Sequence, residues 1–220
     1  GCAGNIAFNL KMLGGDPIPM GTVGADFEPY QAWMAERGIN SEHVTVKEQS
    51  LTAQAFITTD LDDNQITAFH PGAMNFAHEN RVADAAGVKL GIISPDGRDG
   101  MIRHAEEFAQ TDIPFIFDPG QGLPMFDGDD LKRFISQSTW VSVNDYESEL
   151  MCERTGWSIE EIANEVQALI VTRGGEGSRI YTGGERIDIP AAAVSQLTDP
   201  TGCGDAYRAG LLYGLTHHFD

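Results

Sequence analysis

Apolar positions change period several times along the chain. Ala3, Ile6, Ala7, Leu10 and Leu13 recur at helical spacing and Gly14-Gly15 closes the run, which predicts a helix over 2–13. Residues 27–37 repeat the pattern and Gly38 stops it. Residues 52–59 and 65–70 are instead β-branched and aromatic runs joined by polar residues, the signature of a hairpin. From 88 onward, short apolar runs at 88–93, 115–117, 140–143 and 169–172 alternate with helical segments at 97–110, 128–138 and 145–165. Buried strands alternating with helices predict an α/β fold, a mainly parallel sheet covered on both faces. A second hairpin at 178–181 and 186–189 follows, and Ala206, Ala209, Leu212, Tyr213 and Leu215 predict a last helix.

That pattern fixes where chemistry belongs. In parallel sheets ligands gather beyond the carboxyl ends of the strands. The polar residues stand there: Ser94-Pro95-Asp96, Asp118-Pro119-Gly120, Asn144-Asp145 and Arg173-Gly174-Gly175. A hairpin inserted between helices at 52–70 reads as a lid over such a cleft. The last helix opens out of Asp199-Pro200-Thr201-Gly202-Cys203-Gly204-Asp205. Small residues at 202–204 leave main-chain N–H groups uncovered at the positive end of the helix, a place for phosphate or a developing anion. Asp205 adds a carboxylate able to take the proton of a hydroxyl attacking phosphorus. Taken alone, the stretch also reads as a polar turn capping a helix.

In order along the chain, these motifs resemble the ribokinase, or PfkB, family of sugar and nucleoside kinases. Asp199, Gly202, Gly204 and Asp205 fit its D-T-x-G-A-G-D pattern, with Pro200 and Cys203 as departures. Gly1-Cys2-Ala3-Gly4-Asn5 is similar to the second half of G-G-x-x-x-N, and Gly21 to Asp26 to G-x-V-G-x-D. Asn144 to Glu147 is similar to N-x-x-E, and Thr172 to Gly177 to T-x-G-x-x-G. The resemblance implies a single three-layer α/β/α kinase domain over 1–220, incomplete at both ends, with lid elements near 15–24 and 50–71.

It further implies ATP and Mg²⁺ as cofactors. Gly202, Cys203 and Gly204 would form an anion hole and Asp205 would act as base. Gly1, Asn5 and Asp26 would meet substrate, and Asn144, Thr172, Gly174 and Gly177 the nucleotide. Glu147 would hold Mg²⁺ through water, and Asp199 and Thr201 a monovalent cation such as K⁺. Each has a plainer reading: Asn5 as an exposed first-turn residue, Asp26 as a helix cap, Asn144 and Glu147 as a helix start, and 172–177 as a turn. The implied acceptor is a nucleoside, since Cys2 stands where ribokinase itself carries lysine; a sugar or sugar phosphate is the alternative. The lid edge offers a surface for pairing two copies.

Composition narrows the field. With 33 acidic against 14 basic residues the formal charge is −19, which repels polyanions and excludes a nucleic-acid partner. Helix ends and Mg²⁺ still provide local positive potential for ATP. No run approaches the roughly 18 apolar residues of a spanning helix, so no membrane partner is expected. Three cysteines without a C-x-x-C pair imply a reducing compartment, the cytoplasm. His104 and His217-His218 lack companion ligands at metal spacing. Neither a P-loop nor a dinucleotide fingerprint is present. Two readings of other kinds remain: Cys203 as a nucleophile at a helix N-terminus, and a nucleotide sensor that keeps the fold without the reaction.

Overall fold

A computed structural model describes residues 1–61, 65–194 and 201–219. At its centre is a six-stranded sheet. Strands β5 (Gly91–Ile93), β6 (Phe115–Phe117), β7 (Trp140–Asn144) and β8 (Ala168–Thr172) run parallel and adjacent, as the alternation predicts. The antiparallel pair β9 (Ser178–Thr182) and β10 (Glu185–Ile189) extends the β8 side. Two further strands, β1 (Gly21–Gly24) and β2 (Val44–Lys47), form a separate parallel pair. The lid hairpin is a third sheet, β3 (Gln54–Thr59) against β4 (Gln65–His70).

Period-two alternation divides the sheet into two faces. Phe115, Phe117, Val141, Val143, Leu169 and Val171 pack against α3 (Arg98–Gln110), α4 (Gly128–Gln137), α5 (Asp145–Thr155) and α6 (Ile159–Glu165). Ile116 faces the other way, with Ile92 and Trp140, against α1 (Cys2–Met12) and α7 (Cys203–Thr216). The result is three layers, α/β/α. A smaller cluster, Ala7, Val23, Phe27, Met34 and Ile39, joins α1, β1 and α2 (Glu28–Glu36).

Two local readings change. The helix expected over 145–165 is two helices, because Gly156 takes a left-handed φ of 68° that ends α5. Ser158 and Glu161 then form a capping box that starts α6. The expected lid segment at 15–24 contains β1, which is mostly buried and pairs with β2, whose four-residue run was too short to stand out.

The lid proper keeps Phe56, Ile57, Ile66 and Phe69 exposed, but its root is fixed. Thr22 Oγ1 donates to Ala73 O at 2.7 Å, and Ala73 N donates to Leu51 O at 2.9 Å. A Cβ on Gly24 would lie 2.3 Å from Ser50 O and one on Gly72 2.2 Å from Leu51 O, so both positions require glycine for the two backbones to meet.

Candidate active site

Helices α1 and α7 pack side by side and begin at the same corner, above the carboxyl ends of the strands. Asn5 Nδ2 donates to Asp205 Oδ2 at 2.7 Å, which joins two residues 200 positions apart. Gly202 caps α7 with a φ of 79°, and the first helical bond runs from Ala206 N to Gly202 O at 2.9 Å. Among the described residues nothing accepts from the N–H groups of Cys203, Gly204 and Asp205. Cys203 and Gly204 are exposed and Asp205 is half-buried. Gly1 is the N-cap of α1 and likewise has no side chain to cover the first turn. Two positive helix ends and one carboxylate therefore share this corner.

Beneath it lies a buried polar network. Arg208 Nε donates to Asp118 Oδ2 at 2.5 Å, and Ser94 Oγ donates to the same oxygen at 2.8 Å. Asp118 is 1% exposed, and its Oδ1 has no partner among the described residues. Burial works against the charged guanidinium, but the bond and charge of Asp118 outweigh it and hold Arg208 above its usual range. Burial, then the carboxylates of Asp205 and Asp118, push the Cys2 thiol up to about 11, so Cys2 is neutral at physiological pH.

At the end of β7, Asn144 and Glu147 close a reciprocal capping box. Asn144 Oδ1 accepts from Glu147 N at 2.7 Å, while Glu147 accepts from Asn144 N and Nδ2, both at 2.9 Å. The helix-start reading of this motif is therefore realised. Burial pushes the Glu147 carboxyl up against the pull of the Asn144 N–H. Each of its oxygens accepts one bond, and a carboxylate offers about four acceptor sites, so room remains for waters of a hydrated cation. Asp118, whose charge reaches Glu147, adds an Oδ1 that has no partner among the described residues. These residues fit Mg²⁺ held through water.

Thr172 pairs in register with Asn144, and its hydroxyl reaches Val143 O at 3.4 Å. The two glycines after it differ. Gly174, with a φ of 52°, has open space where a Cβ would stand. Gly177 instead lies under the backbone of 189–191, where a Cβ would be 2.0 Å from Ile189 O. Glycine at 177 lets the chain after β10 pass close over this loop.

Asp26 does not cap α2, whose N-cap is Phe27 with no side-chain bond. It holds the lid root: Oδ1 accepts from Thr52 N at 2.8 Å and Thr52 Oγ1 at 2.7 Å, and these bonds lower the carboxyl below its ordinary range. Thr201 stands exposed before Gly202, and Asp199 lies outside the described residues. The described residues hold no group of three His, Cys, Asp or Glu able to bind a metal ion directly, and no helix among them is long and apolar enough to cross a membrane.

The sequence reading passed over Arg208 and left Asp118 and Ser94 as general rim residues. A signal existed for the first: Arg208 is a lone cation on a helix face otherwise made of Ala209 and Leu212.

Asp96, just beyond β5, is half-buried and among the described residues accepts only from Gly97 N, at 2.8 Å; burial pushes its carboxyl up to about 6. The folded state therefore prefers the proton. The associated stability is fully present below the ordinary aspartate range and is lost as pH rises through about 6. Asp96→Asn should accordingly raise the unfolding free energy measured in urea at pH 8 by about 1–3 kcal/mol, and the gain should shrink toward pH 4.5. An equal gain at both values would refute the burial argument.

The family model for pfkB family carbohydrate kinase matches residues 1–220. Nucleoside kinase from Methanocaldococcus jannaschii is 32% identical over 222 residues, covering 100% of this chain and 73% of that protein. Its crystal structure, described as an archaeal member of the ribokinase family, superposes with a TM-score of 0.93. Burkholderia thailandensis nucleoside kinase in complex with inosine is 56% identical, with a TM-score of 0.96 over 100% of this chain and 73% of that one. The same kinase in complex with ADP-inosine has a TM-score of 0.93 at 55% identity, covering 98% of this chain and 68% of that one.

Proposed function

Because the chain belongs to the pfkB family of carbohydrate kinases and is a kinase, we propose that it transfers the γ-phosphate of ATP to the hydroxymethyl group of a nucleoside. The observation that carries the reading is the Asn5–Asp205 pair at a helix N-terminus capped by glycine, with no side-chain cap among the described residues. In it, a carboxylate able to accept a proton stands beside donors aimed where phosphate charge develops. Asn5 orients the Asp205 carboxylate and offers its amide to the ribose hydroxyls. Asp205 takes the proton of the attacking hydroxyl. The N–H groups of Gly202, Cys203 and Gly204 stabilise the transferring phosphoryl, donors worth about 2.7–4 kcal/mol each in such sites.

Asn144, Thr172 and Gly174 face the nucleotide. Mg²⁺ held through water by Glu147 would offset the charge of the triphosphate. The hairpin β3–β4 closes over the cleft and excludes water. Its apolar residues lie on both faces, so that when one covers substrate the other is left to pair with a second copy. Asp26 holds the lid root through Thr52, and its exposed carboxylate keeps acceptor capacity for substrate hydroxyls.

Inosine bound to the Burkholderia kinase supports a purine nucleoside as acceptor. Steady-state ATP turnover against inosine, adenosine, ribose and fructose phosphates tests this. The expected kcat/KM for a purine nucleoside exceeds that of any free sugar by about 100-fold or more, as befits a site that pairs polar groups with a base. Preference for a sugar would make this a sugar kinase, and nucleotide binding without turnover on any acceptor would make it a sensor.

A further inference from the structure

Arg208 stands one helical turn beyond Asp205 and is 9% exposed, although it is charged. Three elements converge on it. Asp118 at the end of β6 accepts its Nε at 2.5 Å, and Ser94 at the end of β5 shares that acceptor oxygen. On its own helix the guanidinium folds back over the first turn, where a Cβ on Gly204 would lie 2.8 Å from Nη1. Besides Asp118, the titratable groups close enough to act on it are Glu147 from α5 and the neutral Cys2 thiol from α1.

A buried ion pair is weak support for stability, because desolvation consumes most of the attraction and an apolar pair of the same shape would serve as well. What it does supply is geometry. A planar guanidinium held by a carboxylate has a set direction, and this one lies over the first turn of α7 while its Nε is tied to the end of β6. We propose that Arg208, clamped by Asp118, is a positioning residue for phosphoryl transfer, which aligns the 202–205 turn with the ends of β5 and β6. The proposal rests on the kinase reading above. Asp118 Oδ2 is already shared by Arg208 and Ser94, so the clamp is in place before any ligand arrives, while Oδ1 has no partner among the described residues.

The test is kcat, both KM values and the melting temperature of the complete protein carrying Arg208→Met or Arg208→Lys. A misaligned phosphate cradle slows the chemical step more than it weakens binding, so Arg208→Met should lower kcat by about 10–100-fold with each KM within about threefold. Arg208→Lys keeps the charge beside Asp118 but not the fork, and should recover only part of that loss. A folded Arg208→Met protein with kcat within about twofold of wild type would overturn the proposal, as would a loss carried wholly by KM. If the methionine variant does not fold, the lysine variant decides. Full kcat with a lowered melting temperature would then mean that Arg208 is structural only. Wild-type protein inactive on every nucleoside and sugar would instead remove the kinase reading, and this inference with it, whatever the variants do.

Discussion

Asp205→Asn is expected to leave fold and nucleotide affinity nearly intact while lowering kcat by about 10²–10⁴-fold, the range for loss of a positioned general base. The replacement is nearly isosteric. Its amide oxygen still accepts from Asn5 Nδ2, so the corner between α1 and α7 keeps its contact, but no group remains to take the hydroxyl proton. ADP affinity by titration calorimetry, beside turnover at saturating ATP and nucleoside, separates the two effects. Normal turnover would mean that the proton leaves by another route and that Asp205 is not the base. A large loss of ADP affinity would mean that the carboxylate organises the nucleotide site.

The second large effect is on stability. Phe117→Ala should cost about 3–5 kcal/mol, a large part of the roughly 5–15 kcal/mol that holds a domain of this kind together. Phe117 is fully buried, with its ring stacked on Phe134 at 4.4 Å and an interplanar angle of 4°, and Phe126 meets Phe134 edge-on at 4.9 Å. Truncation opens a cavity in the main core between β6 and α4, where neighbouring rings cannot collapse into it. At this chain length the melting temperature should fall by about 6–20 °C. Phe56→Ala on the exposed hairpin is the control and should stay within about 0.5 kcal/mol. Equal effects at the two positions would contradict the assigned core.

The correspondence between sequence and structure follows the range of the interactions. The turn at 202–205 was legible because its glycines and the helix after it are neighbours in sequence, and Asn5 was legible through a short motif on an equally local helix start. The parallel order of β5 to β8 came from alternation alone. Ser94, Asp118 and Arg208 escaped as a unit because their meeting depends on tertiary packing across 90 residues. Gly156 and the Ser158–Glu161 box were visible signals for ending one helix and starting another, passed over when 145–165 was read as one helical segment. Asp26 sits directly before α2 and so suggests a cap; only the fold brings Thr52 within its reach.

The contact between Asn5 and Asp205 also bears on how the protein is made. A growing chain released up to α6 and β8 already owns its central strands and most of its core, yet the reacting corner lacks half its parts until α7 leaves the ribosome. Loop-closure entropy rises only slowly with length, so the late meeting costs little once the intervening layers have formed. Chains that end before α7 should thus transfer no phosphate from ATP, which turnover by a truncated variant would check.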